Sequence, residues 1–360
     1  MKTSSTPKQT GERVAAALAG VWRASLPPLG LSERELESVL PQLIGCGAGA
    51  LGWRRVRHSP LSRSPLADAL RHSYRVQIIQ SALFEREIER VLALLRAAGV
   101  EPILVKGWAA ARLYGEPPLR PCGDMDLLVR PQQYEVARAA LQTLGAGARV
   151  VDLHSSFTEL EDRDVDELFA RSRLVSLGAT DVRVLCAEDH FGLLCIHLLR
   201  HGAWRPVWLC DVGAALEGRP RGFDWALCLG ADRRRARWIT CAVGLAHRLL
   251  GAKVEATPAA DEAARLPRWL VASVLRRWES PYVTEQHPQK YRAAMSSYLR
   301  RPAGLPAALR ERWPDPVAAT VSVRGPFNTL PRWPFQLADC FARASQFVTE
   351  QTFSGRKTNT

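Results

Sequence analysis

The sequence lacks any run of about 18 apolar residues, so it offers no candidate for a membrane-spanning helix. The first residues, MKTSSTPKQTGERV, also lack the apolar segment of a secretory signal. These two absences exclude the common membrane and secretory classes. We therefore expect a cytoplasmic protein with no membrane partner.

The sequence also lacks C-x-x-C motifs and has few lysines. None of the eight cysteines forms a C-x-x-C pair, so a structural zinc site is not expected. Only six of the 49 basic residues are lysines, and the net charge of +13 therefore rests on arginines spread along the chain. Without a zinc-finger, recognition-helix or RNP-type signature, a polynucleotide partner is disfavoured, although the charge leaves RNA open.

Residues 103–129 carry the densest group of chemically useful side chains. This stretch begins with an apolar run that stops at Lys106-Gly107, and it ends with Asp124 and Asp126 entering a second apolar run. Strand residues two apart point the same way, and adjacent carboxylates repel each other unless a cation lies between them. Such oxygen ligands suit Mg²⁺ shared with substrate phosphates. The alternative is a pair of carboxylates that simply face water, because D-x-D is a short motif.

Strand and helix patterns alternate around this stretch. Strands are predicted at 103–105, 125–129, 149–154 and 181–185, and helices at 108–114, 132–144 and 160–173. Elsewhere the periodicity is helical, at 12–24, 32–44, 66–98, 188–201, 208–216, 225–229, 233–250, 269–278, 290–299 and 335–349. The alternation predicts an α/β fold for the central region.

The order of a glycine turn, a helix, an arginine and D-x-D on a strand resembles the nucleotidyltransferase superfold of the DNA polymerase β type. More narrowly, LVKGWAAARLY, LRPCGDMDLLV and VVDLH resemble a bacterial family of uncharacterised nucleotidyltransferases, the NTP-transferase-5 type. The resemblance is clearest over 100–155 and extends more weakly to about residue 250. It implies an α/β (α+β) core, a small mixed sheet with helices, embedded in largely helical N-terminal and C-terminal surroundings.

The length of 360 residues exceeds the usual size of one domain, and 47% hydrophobic residues suffice for a full core. Four regions are expected: an N-terminal helical segment (1–99), the nucleotidyltransferase core (100–187), a helical domain (188–280), and a C-terminal helical extension with a polar tail (281–360).

The resemblance also assigns a metal site. Asp152, in the middle of VVDLH, matches the third acid of the superfold by position. Asp124, Asp126 and Asp152 would then hold two Mg²⁺ ions, with Mn²⁺ as an alternative, beside a triphosphate. The alternative for Asp152 is an ion pair with a nearby arginine, since a carboxylate in an apolar strand needs a cation.

Lys106, Gly107 and Arg120 are expected to hold the triphosphate. A glycine turn lets backbone N–H groups approach a phosphate closely. Many relatives of the superfold have Gly-Gly or Gly-Ser here, whereas this chain has Gly107-Trp108, so Lys106 is expected to compensate as a point charge. Arg120 precedes the acids as in the wider family and could bind phosphate or hold Asp124; a purely structural ion pair with an acid is the alternative.

Histidines supply further candidates. His154 lies two residues beyond Asp152, shares its face of the strand, and is a candidate to contact the acceptor or act as a base. The segment HLLRHGAWRPVWLCDVGAAL resembles the helical segment that follows the core in the same family, and it contains His197, His201 and Asp211. His201 and Asp211 are hypothesised to face the cleft, where they would position the acceptor or act as a base. His197 and His201 share a helix face and could bind a metal, but no third ligand has zinc-site spacing, and simple packing is the alternative.

The expected reaction is Mg²⁺-dependent transfer of a nucleoside monophosphate from an NTP, such as ATP, to an acceptor, with release of pyrophosphate. The alternatives are another phosphoryl or pyrophosphoryl transfer on the same scaffold, a degenerate binding or assembly protein, and an RNA-modifying transferase. The acceptor is left open among a small molecule, a peptide, a protein and, less favoured, RNA, because fold does not fix function.

Overall fold

The computed structural model describes residues 7–145, 150–255, 257–280 and 313–354. Within these ranges no helix combines the length and the hydropathy needed to cross a bilayer. The helix predicted at 290–299 lies outside the described residues.

Helices form the first part of the chain: α1 (Pro7–Leu18), α2 (Glu33–Ser38), α3 (Leu40–Gly45), α4 (Gly49–Val56) and α5 (Pro65–Ala97). Ser32 and Glu35 form a capping box that starts α2. The 33-residue α5 has a proline at its first position and is followed by Gly99 at φ 76°. The helix predicted at 32–44 is divided into α2 and α3, and α4 was not predicted.

The central region forms one five-stranded sheet. Its strands are β1 (Ile103–Val105), β2 (Met125–Leu128), β3 (Val151–His154), β4 (Arg173–Leu177) and β5 (Thr180–Val184), interspersed with α6 (Gly107–Ala111), α7 (Tyr134–Gln142) and α8 (Val165–Arg171). The strand order is β3-β2-β1-β5-β4. β2 pairs with β3 and β1 with β5 in parallel, whereas the β1–β2 and β4–β5 pairs are antiparallel. The sheet is therefore mixed, and the predicted α/β core is confirmed.

The two faces of the sheet pack against different helices. On one face, Leu104 and Leu127 join residues of α5 and α7 in a hydrophobic cluster. On the other face, Ile103, Val105 and Leu128 join the large cluster formed by the remaining helices. Because side chains alternate along a strand, Asp126 lies on the same face as Leu128, the face that packs against the large cluster.

The remainder of the described chain is helical: α9 (Ala187–Arg200), α10 (Pro206–Glu217), α11 (Trp225–Leu229), α12 (Arg233–Leu250), α13 (Ala260–Ala263), α14 (Arg268–Arg277), α15 (Pro316–Ser322) and α16 (Trp333–Ser354). Asp232 caps the start of α12, and Gly251 in the left-handed conformation ends it. α12 contacts α9, α10 and α1, so it is central to this part of the fold.

The C-terminal elements are packed against the earlier ones. α15 contacts α9 and α14 contacts α1. The indole of Trp238 in α12 donates a hydrogen bond to the Gly325 carbonyl (2.9 Å), and the indole of Trp278 donates one to Ala203 (2.9 Å). One hydrophobic cluster therefore extends from Val14 to Val321.

Candidate active site

Two predicted acids face each other across the parallel pair β2–β3. Asp126 is the register partner of Asp152, so both carboxylates project from the same side of adjacent strands. The Asp126 side chain is 13% exposed and that of Asp152 is 63% exposed. One ligand atom each from Asp126, Asp152 and His154 lies within 4.8 Å of the others. The fold therefore brings together three predicted residues that are separated by up to 28 positions in sequence.

Lys106 closes the inner side of this group. Its Nζ lies 3.0 Å from Asp126 Oδ1 and 4.7 Å from the centre of the Phe157 ring. The backbone of Lys106, between β1 and α6, has φ 56° and ψ −135°. Residues other than glycine adopt such a conformation at a cost of about 1–3 kcal/mol. The turn thus holds the ammonium group against the carboxylate in spite of backbone strain.

His154 lies between the two carboxylates. Its Nε2 is 3.1 Å from Asp152 Oδ2 and 3.5 Å from Asp126 Oδ1. Nevertheless this buried nitrogen makes no well-aligned hydrogen bond. The imidazole packs on Phe157 with ring centres 4.2 Å apart, which restrains its position. Two carboxylate oxygens and one nitrogen at these separations form a set that fits around a single cation.

The charge state of Asp126 follows from these neighbours. Burial alone would raise the pKa of its carboxyl group, but the interactions with His154 and Lys106 outweigh burial and lower the pKa. Asp126 is therefore an anion at neutral pH, as a metal ligand must be.

The backbones of Asp124 and Gly107 pass close to each other beside Lys106. Asp124 is exposed and precedes the first residue of β2, where strand alternation does not determine its direction. A Cβ atom added to Gly107 would lie 3.2 Å from the Asp124 carbonyl oxygen, so the turn passes close to the segment of the acids. Asp124 is not part of the ligand group that Asp126 forms in the described chain.

Arg120 and Asp211 were predicted for different roles, and the structure pairs them in the interior. Arg120 Nη2 lies 2.9 Å from Asp211 Oδ2, and the Tyr114 hydroxyl donates a 2.9 Å hydrogen bond to Oδ1. The Asp211 side chain is completely buried. Arg120 also donates to the Pro121 carbonyl at 2.7 Å. This network joins the segment before β2 to α10.

His197 and His201 meet a residue that the sequence did not indicate. Glu159 lies in the 3₁₀ turn Thr158–Leu160, and its Oε1 is 3.3 Å from His197 Nδ1. Burial would raise the pKa of Glu159, but the hydrogen bond with His197 and the charge of Lys106 lower it to about 2. Lys106 thus acts electrostatically on both groups of residues. Glu159 stands 38 residues before His197, so no local pattern could have revealed it.

Comparison with known proteins identifies one family. The sequence profile of a family described as uncharacterised nucleotidyltransferases matches residues 35–251, which is more than half of the chain. Searches of curated proteins and of solved structures gave no match. The matched range contains the sheet, the three acids and both histidine-containing groups. The resemblance seen in the sequence is thereby confirmed, and the chain belongs to this family of nucleotidyltransferases.

Proposed function

We propose that this protein transfers a nucleoside monophosphate from an NTP to an acceptor and releases pyrophosphate. The observation that carries the proposal is the pair Asp126 and Asp152, aligned across β2 and β3, with Lys106 beside Asp126. Membership of a nucleotidyltransferase family supports the same reaction class. Catalysis of such a transfer depends mainly on positive charge placed around the phosphates. Lys106 supplies one positive charge here, and cations held by Asp126 and Asp152 would supply more.

The donor set fits divalent cations. Asp126 and Asp152 would hold them through carboxylate oxygens, with the exposed Asp124 available to a second ion. Bound Mg²⁺ would supply charge for the triphosphate and for the developing oxyanion. The His154 nitrogen beside the two oxygens makes Mn²⁺ a good alternative, because imidazole suits transition metals better than it suits Mg²⁺.

Lys106 and Gly107 would receive the phosphates. The ammonium group of Lys106 lies 3.0 Å from Asp126, and Gly107 follows it at the start of α6, where backbone N–H groups at a helix N-terminus would favour an anion. Arg120 already donates to Asp211 and Pro121, so the proposal gives it a positioning role beneath the site.

Three residues were predicted for the acceptor side: His154, His201 and Asp211. The proposal uses His154 as a ligand of the metal. His201 is exposed at the end of α9 and remains the candidate that positions the acceptor. Asp211 is buried against Tyr114 and Arg120, so a direct contact with the acceptor would require that network to open.

Calorimetry tests the donor half of the proposal. Each NTP is titrated into the wild type with Mg²⁺ or Mn²⁺, and then into Asp126→Asn, Asp152→Asn and Asp124→Asn. We expect metal-dependent NTP binding that is weakened about tenfold or more in the first two variants, since each loses a charge-assisted contact. Asp181→Asn is the matched control, because Asp181 is an exposed residue of β5 in the same sheet.

Two outcomes would contradict the proposal. One is a folded wild type that binds no NTP with either metal, which would favour a binding or assembly protein. The other is a reaction product whose mass shows a transferred phosphate or pyrophosphate instead of a nucleoside monophosphate. RNA retention that weakens steeply with salt would support the alternative of an RNA-modifying transferase.

A further inference from the structure

A second group of potential ligand atoms lies at the end of α9. One atom each of Glu159, His197 and His201 falls within 4.8 Å of the other two. These residues share no member with the group of Asp126, Asp152 and His154. The two groups are therefore separate sets of ligands within the described chain.

Two packed elements, α9 and the 3₁₀ turn Thr158–Leu160, supply the three side chains. His197 lies in the last turn of α9 and His201 caps its end, with the His201 N–H bonded to the His197 carbonyl at 3.2 Å. Glu159 comes from a 3₁₀ turn that packs on α9. Trp208 of α10 contacts both imidazoles, with ring centres 4.7 and 5.2 Å away. The side chains are thus packed together before any ligand arrives.

The turn after α9 fixes the position of His201. Gly202 has φ 67°, and a Cβ added there would lie 2.5 Å from an oxygen of Asp315. Ala203, the next residue, has φ 51° and accepts the hydrogen bond of the Trp278 indole. Asp315, just before α15, and Trp278, just after α14, therefore contact the end of α9 that carries the cluster.

The distance between the Glu159 and His197 ligand atoms fits coordination of a single metal ion. Glu159 Oε1 and His197 Nδ1 are 3.3 Å apart, which is long for a charge-assisted hydrogen bond. Two atoms that are each about 2.0–2.1 Å from one ion are about 3.3 Å apart in tetrahedral coordination. Glu159 is nearly buried, whereas His201 is exposed, so solvent reaches the group from the His201 side.

We propose that Glu159, His197 and His201 bind one divalent transition-metal ion, Zn²⁺ in the first instance. Two imidazoles and one carboxylate form the ligand set of many three-ligand zinc sites, which leave a further coordination position open. Imidazole nitrogen favours Zn²⁺ over Mg²⁺, whereas the acids on β2 and β3 provide mainly oxygen. The two groups would thus select different ions, and this site stands independently of nucleotidyl transfer.

Zinc and cobalt titrations test the site directly. The full-length chain is stripped with chelator and titrated with Zn²⁺ by calorimetry, and with Co²⁺ by visible absorption, in the absence of nucleotide. We expect one tight site in the wild type and an affinity about 100-fold lower or more in Glu159→Gln, His197→Gln and His201→Gln, which exceeds the usual effect of groups around a ligand. His201→Gln is expected to disturb the fold least of the three, because the residue is exposed.

Two controls separate the possible results. His72→Gln removes an exposed histidine of α5, and Asp126→Asn/Asp152→Asn removes the other group; both should keep the tight site. Far-UV dichroism of each metal-free variant checks that it is folded. The proposal is overturned if the wild type binds no Zn²⁺, if folded cluster variants bind it normally, or if binding is lost only in the Asp126/Asp152 variant. Failure of NTP binding would not affect any of these results.

Discussion

Lys106 illustrates how a single residue can combine charge with backbone strain. A glycine would adopt its φ of 56° and ψ of −135° freely, yet the chain has the side chain whose Nζ contacts Asp126. Strained residues of this kind cluster at functional sites, where surrounding structure maintains them. The strain and the ion pair at the same position support a role for Lys106 in binding phosphate.

Replacing Lys106 by two small residues separates strain from charge. Both Lys106→Ala and Lys106→Gly lose the ammonium group, but only the glycine variant relaxes the backbone. We expect Lys106→Gly to be more stable than Lys106→Ala by about 1 kcal/mol in urea unfolding, a reversal of the usual advantage of alanine. An alanine variant as stable as the glycine variant would show that position 106 is unstrained. Both variants should bind NTP less tightly than the wild type.

The residues of the site differ in how far the sequence could reveal them. The D-x-D spacing beside an apolar run indicates Asp126, the resemblance to the nucleotidyltransferase superfold indicates Asp152, and the structure places the two acids side by side. The interior position of Asp211 was not predicted, because its partners Tyr114 and Arg120 lie more than 90 residues away. Glu159 was missed because its partner His197 lies 38 residues away in the sequence. Local patterns identify a polar residue that is unusual where it stands, but they do not identify its partner.

At the scale of elements, the Arg120–Asp211 pair joins α10 to the segment that leads into β2. Both side chains are almost inaccessible to water, and removing one partner leaves the other as an unpaired buried charge. Burial opposes the charge on Arg120, but Asp211 more than compensates and raises the pKa of the guanidinium. The pair therefore depends on both members.

A double-mutant cycle measures this dependence. Asp211→Asn is expected to lower the free energy of unfolding by about 3–5 kcal/mol, because Arg120 loses its counter-charge. Adding Arg120→Met should recover part of the loss, with a coupling energy of about 1–3 kcal/mol in urea unfolding. Strict additivity would mean that the two side chains stabilise the fold independently.

Glu116 forms a similar junction between α4 and α5. It accepts hydrogen bonds from Arg54 (3.1 Å), from Arg57 (2.9 Å) and from the hydroxyl of Tyr74 (2.9 Å). The hydrogen bond from Arg57 is the main reason that the pKa of Glu116 falls from 4.5 to about 2. Because the pKa is lower in the folded state, the stabilisation is complete above pH 4.5 and is lost as the pH falls towards about 2.

The Glu116→Gln variant tests this pH dependence. At neutral pH it should be less stable than the wild type by about 1–2 kcal/mol, after allowance for the partial exposure of the carboxylate. The difference in melting temperature should narrow as the pH is lowered through 4 towards 3. A difference that stays constant or widens over that range would contradict the shifted pKa.

The secondary structure was predicted best where periodicity was strong. Helix α5 was located within one residue at each end, because its apolar stripe runs without proline or glycine. Strand β4 was not predicted; it is an edge strand whose first residues, Arg173 and Leu174, are exposed, so no alternation marks it. The antiparallel pairing of β1 with β2 depends on long-range contacts that a sequence pattern does not specify.

At the scale of the whole molecule, the hydrophobic core extends beyond the range of the family match. That match ends at residue 251, yet buried residues of later elements, including Leu270, Trp278 and Val317, belong to the large cluster. α1, which precedes the match, contacts α12 and α14. The division into four regions stays a prediction, but the cluster crosses the positions proposed for its boundaries.

Truncation tests whether the later elements are needed for folding. A chain that ends at residue 255 would expose the surfaces of α9 and α1 that α15 and α14 cover. We expect it to aggregate or to lose cooperative thermal unfolding, because buried apolar area is removed from one shared core. A chain that ends at residue 354 is the control and should unfold like the full-length protein. Cooperative unfolding of the shorter chain would show that the later elements are dispensable.

The position of Trp208 gives the molecule an optical property. Its indole touches the imidazoles of His197 and His201 and also contacts Trp204, with ring centres 5.2 Å apart. Indole fluorescence responds to the electronic state of the groups in contact with it. A fluorophore encoded in the chain therefore sits beside the two imidazoles, and binding of a metal to them is expected to change its emission without any attached label.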